Sequence, residues 1–343
     1  MEVLLLLAAI LLLDASGESR PLVPAMVIFG DSMVDVGNND YLDTIGKVDM
    51  PPYGRDFKDH VATGRFCNGK LAIDITAERL GFTSYPAAYL SPQASGQNLL
   101  IGANFASGGS GFYDDAPFKS QYITLSQQLG YFQEYRSKLA VVAGNSKAQS
   151  IISDALYIIC IGSNDFHLNY FINPLLLSTL NLDQYCDRLL AIFRNTIAEL
   201  YGAGARRIGV MSLPPMGCYP VAITVAGLGN DRCMPWLNTI AQRFNGKIGA
   251  AVNSMSGRYH DLKISHLDIY TPIYGLVASP WSHGFTEARR ACCSLIFCNA
   301  RGVGICRNAT TYVFWDGAHP TEAANQVIAD YLLAHGINDL VVS

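Results

Sequence analysis

Apolar residues gather into short unbroken runs separated by polar, glycine-rich punctuation, and the pattern repeats along the chain. The first run after the N-terminal region is 26–29, four apolar residues in a row, as in a parallel strand buried on both faces. Stretches 99–105, 154–161 and 207–213 predict further strands, and the looser alternation of 262–270 predicts a fifth. Between them the period changes to that of a helix. Helices are expected over 71–80, with Asn68 or Gly69 leading in, and over 123–139, where Leu125, Leu129 and Phe132 share one side. Others are expected over 185–201, stopped by Gly202, over 234–255, and from Thr321, a fitting N-cap, to about residue 335. Strands alternating with helices, without repeats or a low-complexity linker, predict an α/β domain with one parallel sheet covered on both faces. No domain boundary interrupts residues 18–343.

Composition changes this picture little and the N-terminus changes it more. Half of the 343 residues are hydrophobic and the net charge is −4, with basic residues scattered, so nothing suggests a nucleic-acid surface or a polybasic membrane patch. Residues 3–13 form an apolar run too short to span a bilayer but suited to a signal peptide. Small residues Ala15-Ser16-Gly17 follow, so the leader is expected to be 1–17 and the mature protein secreted, although no Lys or Arg precedes the run. No later stretch is long enough for a transmembrane anchor. Nine cysteines fit an oxidising compartment, and the odd count leaves at least one outside an internal pair. Cys292, Cys293, Cys298 and Cys306 crowd together without the paired C-x₂-C halves or the nearby histidine of a zinc site, and read as disulfide cysteines. Cys218 and Cys233 bracket a loop and read as a further pair. Cys160, inside an apolar run, reads as a free core thiol. Asn308-Ala309-Thr310 is a glycosylation sequon, which implies a surface loop.

Chemistry concentrates where the apolar runs stop. Gly30-Asp31-Ser32, Ser107-Gly108-Gly109, Gly162-Ser163-Asn164 and Asp316-x-x-His319 each follow a strand or precede a helix. In a parallel sheet the carboxyl ends of the strands lie on one edge, where open α/β folds place their ligands. Ester hydrolysis needs a nucleophile, a base, a group that orients the base, and donors for an oxyanion. Ser32, His319 and Asp316 are the right types for the first three, and the Ser32 N–H, the Gly109 N–H and the Asn164 amide for the donors. Each piece alone also suits an ordinary turn or helix cap. Ser107 and Ser163 are rival nucleophiles by position, and a G-x-S-x-G pentapeptide is absent from the chain. Gly64-Arg65-Phe66-Cys67-Asn68-Gly69-Lys70 starts like a phosphate-binding loop, but Leu71 stands where Ser or Thr would hold magnesium and no strand precedes it. The polar stretch 38–54 reads as a long surface loop beside the first strand. Histidines 60, 167, 260, 266, 283 and 335 receive no role.

The ordered motifs resemble the GDSL esterase/lipase family of the SGNH hydrolase superfamily, its plant branch in particular. The resemblance rests on Phe29-Gly30-Asp31-Ser32-Met33-Val34-Asp35-Val36-Gly37-Asn38-Asn39, Asn104-Phe105-Ala106-Ser107-Gly108-Gly109, Ile161-Gly162-Ser163-Asn164-Asp165 and Phe314-Trp315-Asp316-Gly317-Ala318-His319-Pro320-Thr321-Glu322. Tyr53-Gly54-Arg55-Asp56-Phe57, Thr63-Gly64-Arg65-Phe66 and Leu213-Pro214-Pro215-Met216-Gly217-Cys218 resemble that branch too. The resemblance implies a three-layer α/β/α sandwich with a central five-stranded parallel sheet, and no metal or organic cofactor. It implies Ser32 as nucleophile, Asp316 and His319 as the rest of a triad, and Gly109 and Asn164 with Ser32 in the oxyanion hole, Gly108 being the alternative to Gly109. A secreted serine esterase or lipase follows, acting on a small-molecule or lipid ester. An acyltransferase with the same triad and a catalytically silent glycoprotein of the same fold are the rivals. Cys67 stands where the family usually has a serine, and Cys160 and Cys186 are extra to its pattern. Lipid, cutin-like, acetylated-sugar and phenolic esters all suit the chemistry, and oligomeric state leaves no trace in the sequence.

Overall fold

The computed structural model describes residues 20–227, 231–293, 296–298 and 304–342, so the expected leader, 1–17, lies outside the described residues. In chain order it builds β1 (Met26–Gly30), α1 (Ala72–Arg79), β2 (Gly102–Asn104), α2 (Leu125–Ala143), α3 (Asn145–Asp154), β3 (Leu156–Cys160), α4 (Pro174–Thr179) and α5 (Leu182–Gly202). There follow β4 (Arg207–Met211), α6 (Pro220–Ala226), α7 (Pro235–Arg258), β5 (Lys263–Leu267), α8 (Tyr270–Ala278), β6 (Glu287–Ala291), β7 (Tyr312–Phe314) and α9 (Glu322–Leu332).

Five strands form one parallel sheet in the order β2-β1-β3-β4-β5. The central strands β1 and β3 are buried at every residue, which is why their sequences run apolar without alternation. Their register pairs Met26 with Leu156 and Gly30 with Cys160, so the two chains leave the sheet side by side. Gly30 is required there: its φ is +153°, and a Cβ would lie 2.1 Å from the Cys160 carbonyl oxygen. Helices flank the sheet. Helix α9 packs on α1 and α8, α2 on α3, and α5 on α7. Phe29 of β1 anchors the core, stacked on Phe105 at 5.3 Å and edge-on to Phe132 of α2 at 5.6 Å.

One expectation needs correction. The stretch 99–105 is strand only from 102 to 104, because 96–101 coils into a 3₁₀ turn; β2 is an edge strand that pairs with β1 and meets only a single bridge, Ala88 to Asn104, on its other side. Helix α3 gave no usable period, since Ala148, Ile151 and Ile152 are its only buried residues in an otherwise polar segment. Helix α1 falls within the expected 71–80, starting after Leu71, whose N–H donates to the Asp74 carboxylate at 2.8 Å.

A small parallel pair, β6 and β7, sits beyond the main sheet in the cysteine-rich region. Disulfides Cys292–Cys306 and Cys293–Cys298 brace it, and Cys218–Cys233 closes the loop after β4. Around it lies a second apolar cluster containing Tyr53, Phe66, Trp315 and the cysteines 292, 293 and 298. Cys67, Cys160 and Cys186 are free thiols, all buried. Asn308 is exposed on the surface. No described helix is long and apolar enough to cross a membrane.

Candidate active site

The turn after β1 is built by its own backbone. Asp31 N–H donates to the Cys160 carbonyl at 2.9 Å, and the N–H groups of Val34 and Asp35 donate back to the Asp31 carbonyl. Gln128 of α2 pairs with both sides of Gly30, at 2.9 Å each way. The Asp31 side chain turns inward and accepts the Met33 N–H at 3.0 Å. Burial raises its carboxyl to about 7, against the Met33 hydrogen bond and the charge of His319. Ser32 is left at the apex, with its hydroxyl toward the cleft.

Two further strand ends converge on it. The Ser107-Gly108-Gly109 turn is held by buried polar side chains from the segment after Ser32. Asp35 accepts the Gly108 N–H at 3.0 Å, Asn39 donates to the Gly108 carbonyl at 2.9 Å, and Ser107 donates to Asn39. The Gly108 N–H is therefore occupied, whereas those of Gly109 and Ser32 have no acceptor among the described residues. Gly109 sits at φ +99°, and a Cβ there would meet the Tyr122 ring at 2.8 Å. Asn164, just past β3, is steadied by donating one amide proton to the Ser110 carbonyl at 2.9 Å. Ser107, the first rival serine, is bound between Asn39 and the Ile123 N–H, and neither it nor Ser163 has an imidazole partner.

Asp316 and His319 come from one tight loop between β7 and α9. Trp315 N–H donates to the His319 carbonyl at 2.8 Å, and Thr321 caps α9 through the Ala324 N–H. Asp316 is fully buried. Its Oδ1 accepts the N–H groups of Ala318 and His319 at 3.0 and 2.9 Å and faces His319 Nδ1 at 2.7 Å. With Nδ1–H donating to that carboxylate, the other nitrogen is an acceptor. It lies 2.8 Å from the Ser32 hydroxyl, which donates to it. A hydroxyl, an imidazole and a buried carboxylate in this order can deprotonate the hydroxyl during attack on a carbonyl.

These groups open onto a cleft of about 560 Å³ with mostly apolar walls, including Ile45, Phe66, Phe118, Tyr122, Leu168 and Phe297. His167, to which the sequence assigned nothing, also lines it. Burial lowers that imidazole to about 4, so it is neutral at physiological pH. The segment that begins like a phosphate loop is a brace. Arg65 forms a bidentate pair with Asp74, both contacts 2.8 Å, and Asn68 accepts the Glu322 N–H at the start of α9. No cluster of metal-ligating side chains occurs among the described residues.

One contributor escaped the sequence reading altogether. The buried phenol of Tyr53 donates to Asp316 Oδ2 at 2.8 Å. Its only sequence signal is a position within Tyr53-Gly54-Arg55-Asp56-Phe57, a stretch without hydrophobic period.

Comparison with known proteins points to one family. The profile of the family described as GDSL-like Lipase/Acylhydrolase matches residues 26–332. The chain is similar to the GDSL esterase/lipase APG of Arabidopsis thaliana, 53% identical over 324 residues that cover 92% of each chain. Two further GDSL esterase/lipases of the same plant are 52% and 51% identical, over 94% of this chain and 91% and 93% of theirs.

Proposed function

The chain belongs to the GDSL-like lipase/acylhydrolase family of carboxylic ester hydrolases, and on that premise we propose that it is a secreted serine esterase working through an acyl-enzyme on Ser32. The observation that carries the reading is the unbroken chain from Ser32 Oγ through His319 to Asp316, at 2.8 and 2.7 Å. In the acylation step His319 Nε2 takes the Ser32 proton as Oγ attacks the ester carbonyl carbon. Charge develops on the carbonyl oxygen, where the N–H groups of Ser32 and Gly109 and the Asn164 amide donate to it. His319 then delivers its proton to the departing alkoxide, and Asp316 stabilises the imidazolium without itself taking the proton. Water, deprotonated by His319, attacks the acyl-enzyme; the bond from the acyl carbon to Ser32 Oγ breaks, His319 returns the proton to Oγ, and the acid leaves.

The apolar walls of the cleft favour esters with a lipophilic acyl or alkyl part over strongly charged ones. Secretion is supported by the apolar leader at 3–13, the three disulfides and the exposed sequon asparagine, Asn308. One domain from residue 18 to 343 is the matching organisation, with no cofactor called for by any step.

Hydrolysis of p-nitrophenyl butyrate and p-nitrophenyl palmitate by the wild type and Ser32→Ala tests the assignment. A drop in kcat of about 10⁴-fold or more is expected. A variant that keeps most of its activity, or a fluorophosphonate adduct on another serine, refutes it.

A further inference from the structure

Asp316 is a completely buried carboxylate that no lysine or arginine pairs with among the described residues. A charge in that position is tolerated only if hydrogen-bond donors replace its lost water. Oδ1 has two backbone donors, Ala318 and His319, besides the imidazole. Oδ2 lies 2.9 Å from His319 Nδ1, and its other donor is the Tyr53 hydroxyl at 2.8 Å. An ionised carboxylate can only accept, so the phenol proton must point at it.

The phenol is itself held. Tyr53 is 2% exposed, and its ring meets Trp315 and Phe66 edge-on, each at 6.4 Å between centroids. Its oxygen accepts the Cys298 N–H at 3.3 Å, and Cys298 is tied to Cys293. Tyr53 N–H donates to the Met50 carbonyl, and the Gly54 N–H to that of Cys67. Burial, reinforced by the charge of Asp316, pushes the phenol's pKa far up, so it stays a protonated donor at any working pH.

We propose that Tyr53 is a positioning residue of the reaction, its phenol holding Oδ2 of Asp316 so that the carboxylate cannot rotate away from His319. The proposal rests on the triad reading above. Without this donor Oδ2 would keep only its 2.9 Å contact with His319 Nδ1, and the carboxylate would carry its charge less dispersed. Both consequences disfavour the working state, an ionised Asp316 beside a neutral His319. A more basic carboxylate holds a proton on itself or on the imidazole up to a higher pH. Either route moves the acid limb of activity in the same direction.

The test is the pH profile of kcat/KM for a p-nitrophenyl ester, measured on wild type, Tyr53→Phe and enzyme carrying 3-fluorotyrosine at position 53 alone. Phe keeps the ring and removes the hydroxyl, both the donor to Asp316 and the acceptor of the Cys298 N–H. It is expected to lower kcat about ten- to a hundredfold with KM within about twofold, and to move the acid limb to higher pH. Fluorination makes a more acidic, stronger donor and is expected to move the limb the other way. Should the Phe variant fail to fold, the fluorinated enzyme still carries the test through the direction of its shift. Profiles that superimpose on wild type, with any loss of activity matched by a lower Tm, overturn the proposal. Ser32→Ala separates this outcome from failure of the triad reading, because an active Ser32→Ala enzyme would remove the triad itself.

Discussion

Asp31 touches the proposed nucleophile in sequence yet stands outside the proposed triad, and its burial has a measurable cost. Removal from water lifts its carboxyl from an ordinary 3.8 to about 7. The folded state therefore binds the proton more tightly than the unfolded state. Stability associated with the group is full at low pH and is lost as pH rises from about 4, where the unfolded carboxyl ionises, through about 7. A shift of this size corresponds to roughly 4 kcal/mol once both states are ionised, of which roughly 3 kcal/mol falls between pH 5 and 8. Asp31→Asn keeps a carbonyl to accept the Met33 N–H and removes the titration. The variant should melt close to wild type at pH 5 and above it at pH 8. For a folded chain of about 320 residues, each kcal/mol moves Tm by roughly 1.5 °C, so the gap should open by about 4 °C. Differential scanning calorimetry of both proteins from pH 5 to 8 measures it. Burial also raises Asp35 and Asp165, to about 6 and about 7, and Asp165 feels the Asp31 charge, so the difference curve reports Asp31 together with that coupling. A gap that stays flat across this range refutes the argument.

Two other substitutions separate chemistry from architecture. Asn164→Ala removes a proposed oxyanion donor and should lower kcat about 10²- to 10³-fold while leaving KM within about threefold in the same ester assay. A loss confined to KM would place Asn164 in ground-state binding instead. Arg65→Met strands the Asp74 carboxylate, 1% exposed at the side chain, and should destabilise by about 3–5 kcal/mol, read as a fall in Tm of roughly 5 °C or more. An unchanged Tm would mean that solvent reaches Asp74 once the arginine is gone.

The parallel sheet and its working edge were legible because fully buried strands must be apolar and must stop at polar turns. The ends of β1 and β3 and the β7–α9 loop fell where 26–29, 154–161 and Phe314-Trp315-Asp316 placed them. What escaped were polar residues doing interior work. Asn38 is fully buried and donates to the carbonyls of Asn104 and Ala106, each at 2.8 Å, yet in sequence it belongs to a featureless polar stretch. Tyr53 acts across 263 positions on Asp316. Hydrophobic periodicity reports burial of apolar faces and is silent about a side chain whose purpose is one hydrogen bond. The pair β6 and β7 escaped for a related reason: Glu287-Ala288-Arg289-Arg290-Ala291 has three charged residues in five and buries only Ala288, so it shows no apolar run.

The hydroxyl of Ser32 and the imidazole that bonds to it are separated by 287 residues along the chain. During synthesis the serine leaves the ribosome first, and at about 5–20 residues per second its histidine follows roughly 15 to 60 s later. Throughout that interval the nascent polypeptide contains the proposed nucleophile without any base to activate it. A translation product halted before His319 would carry an inert serine, so ester cleavage waits on completion of the β7–α9 loop.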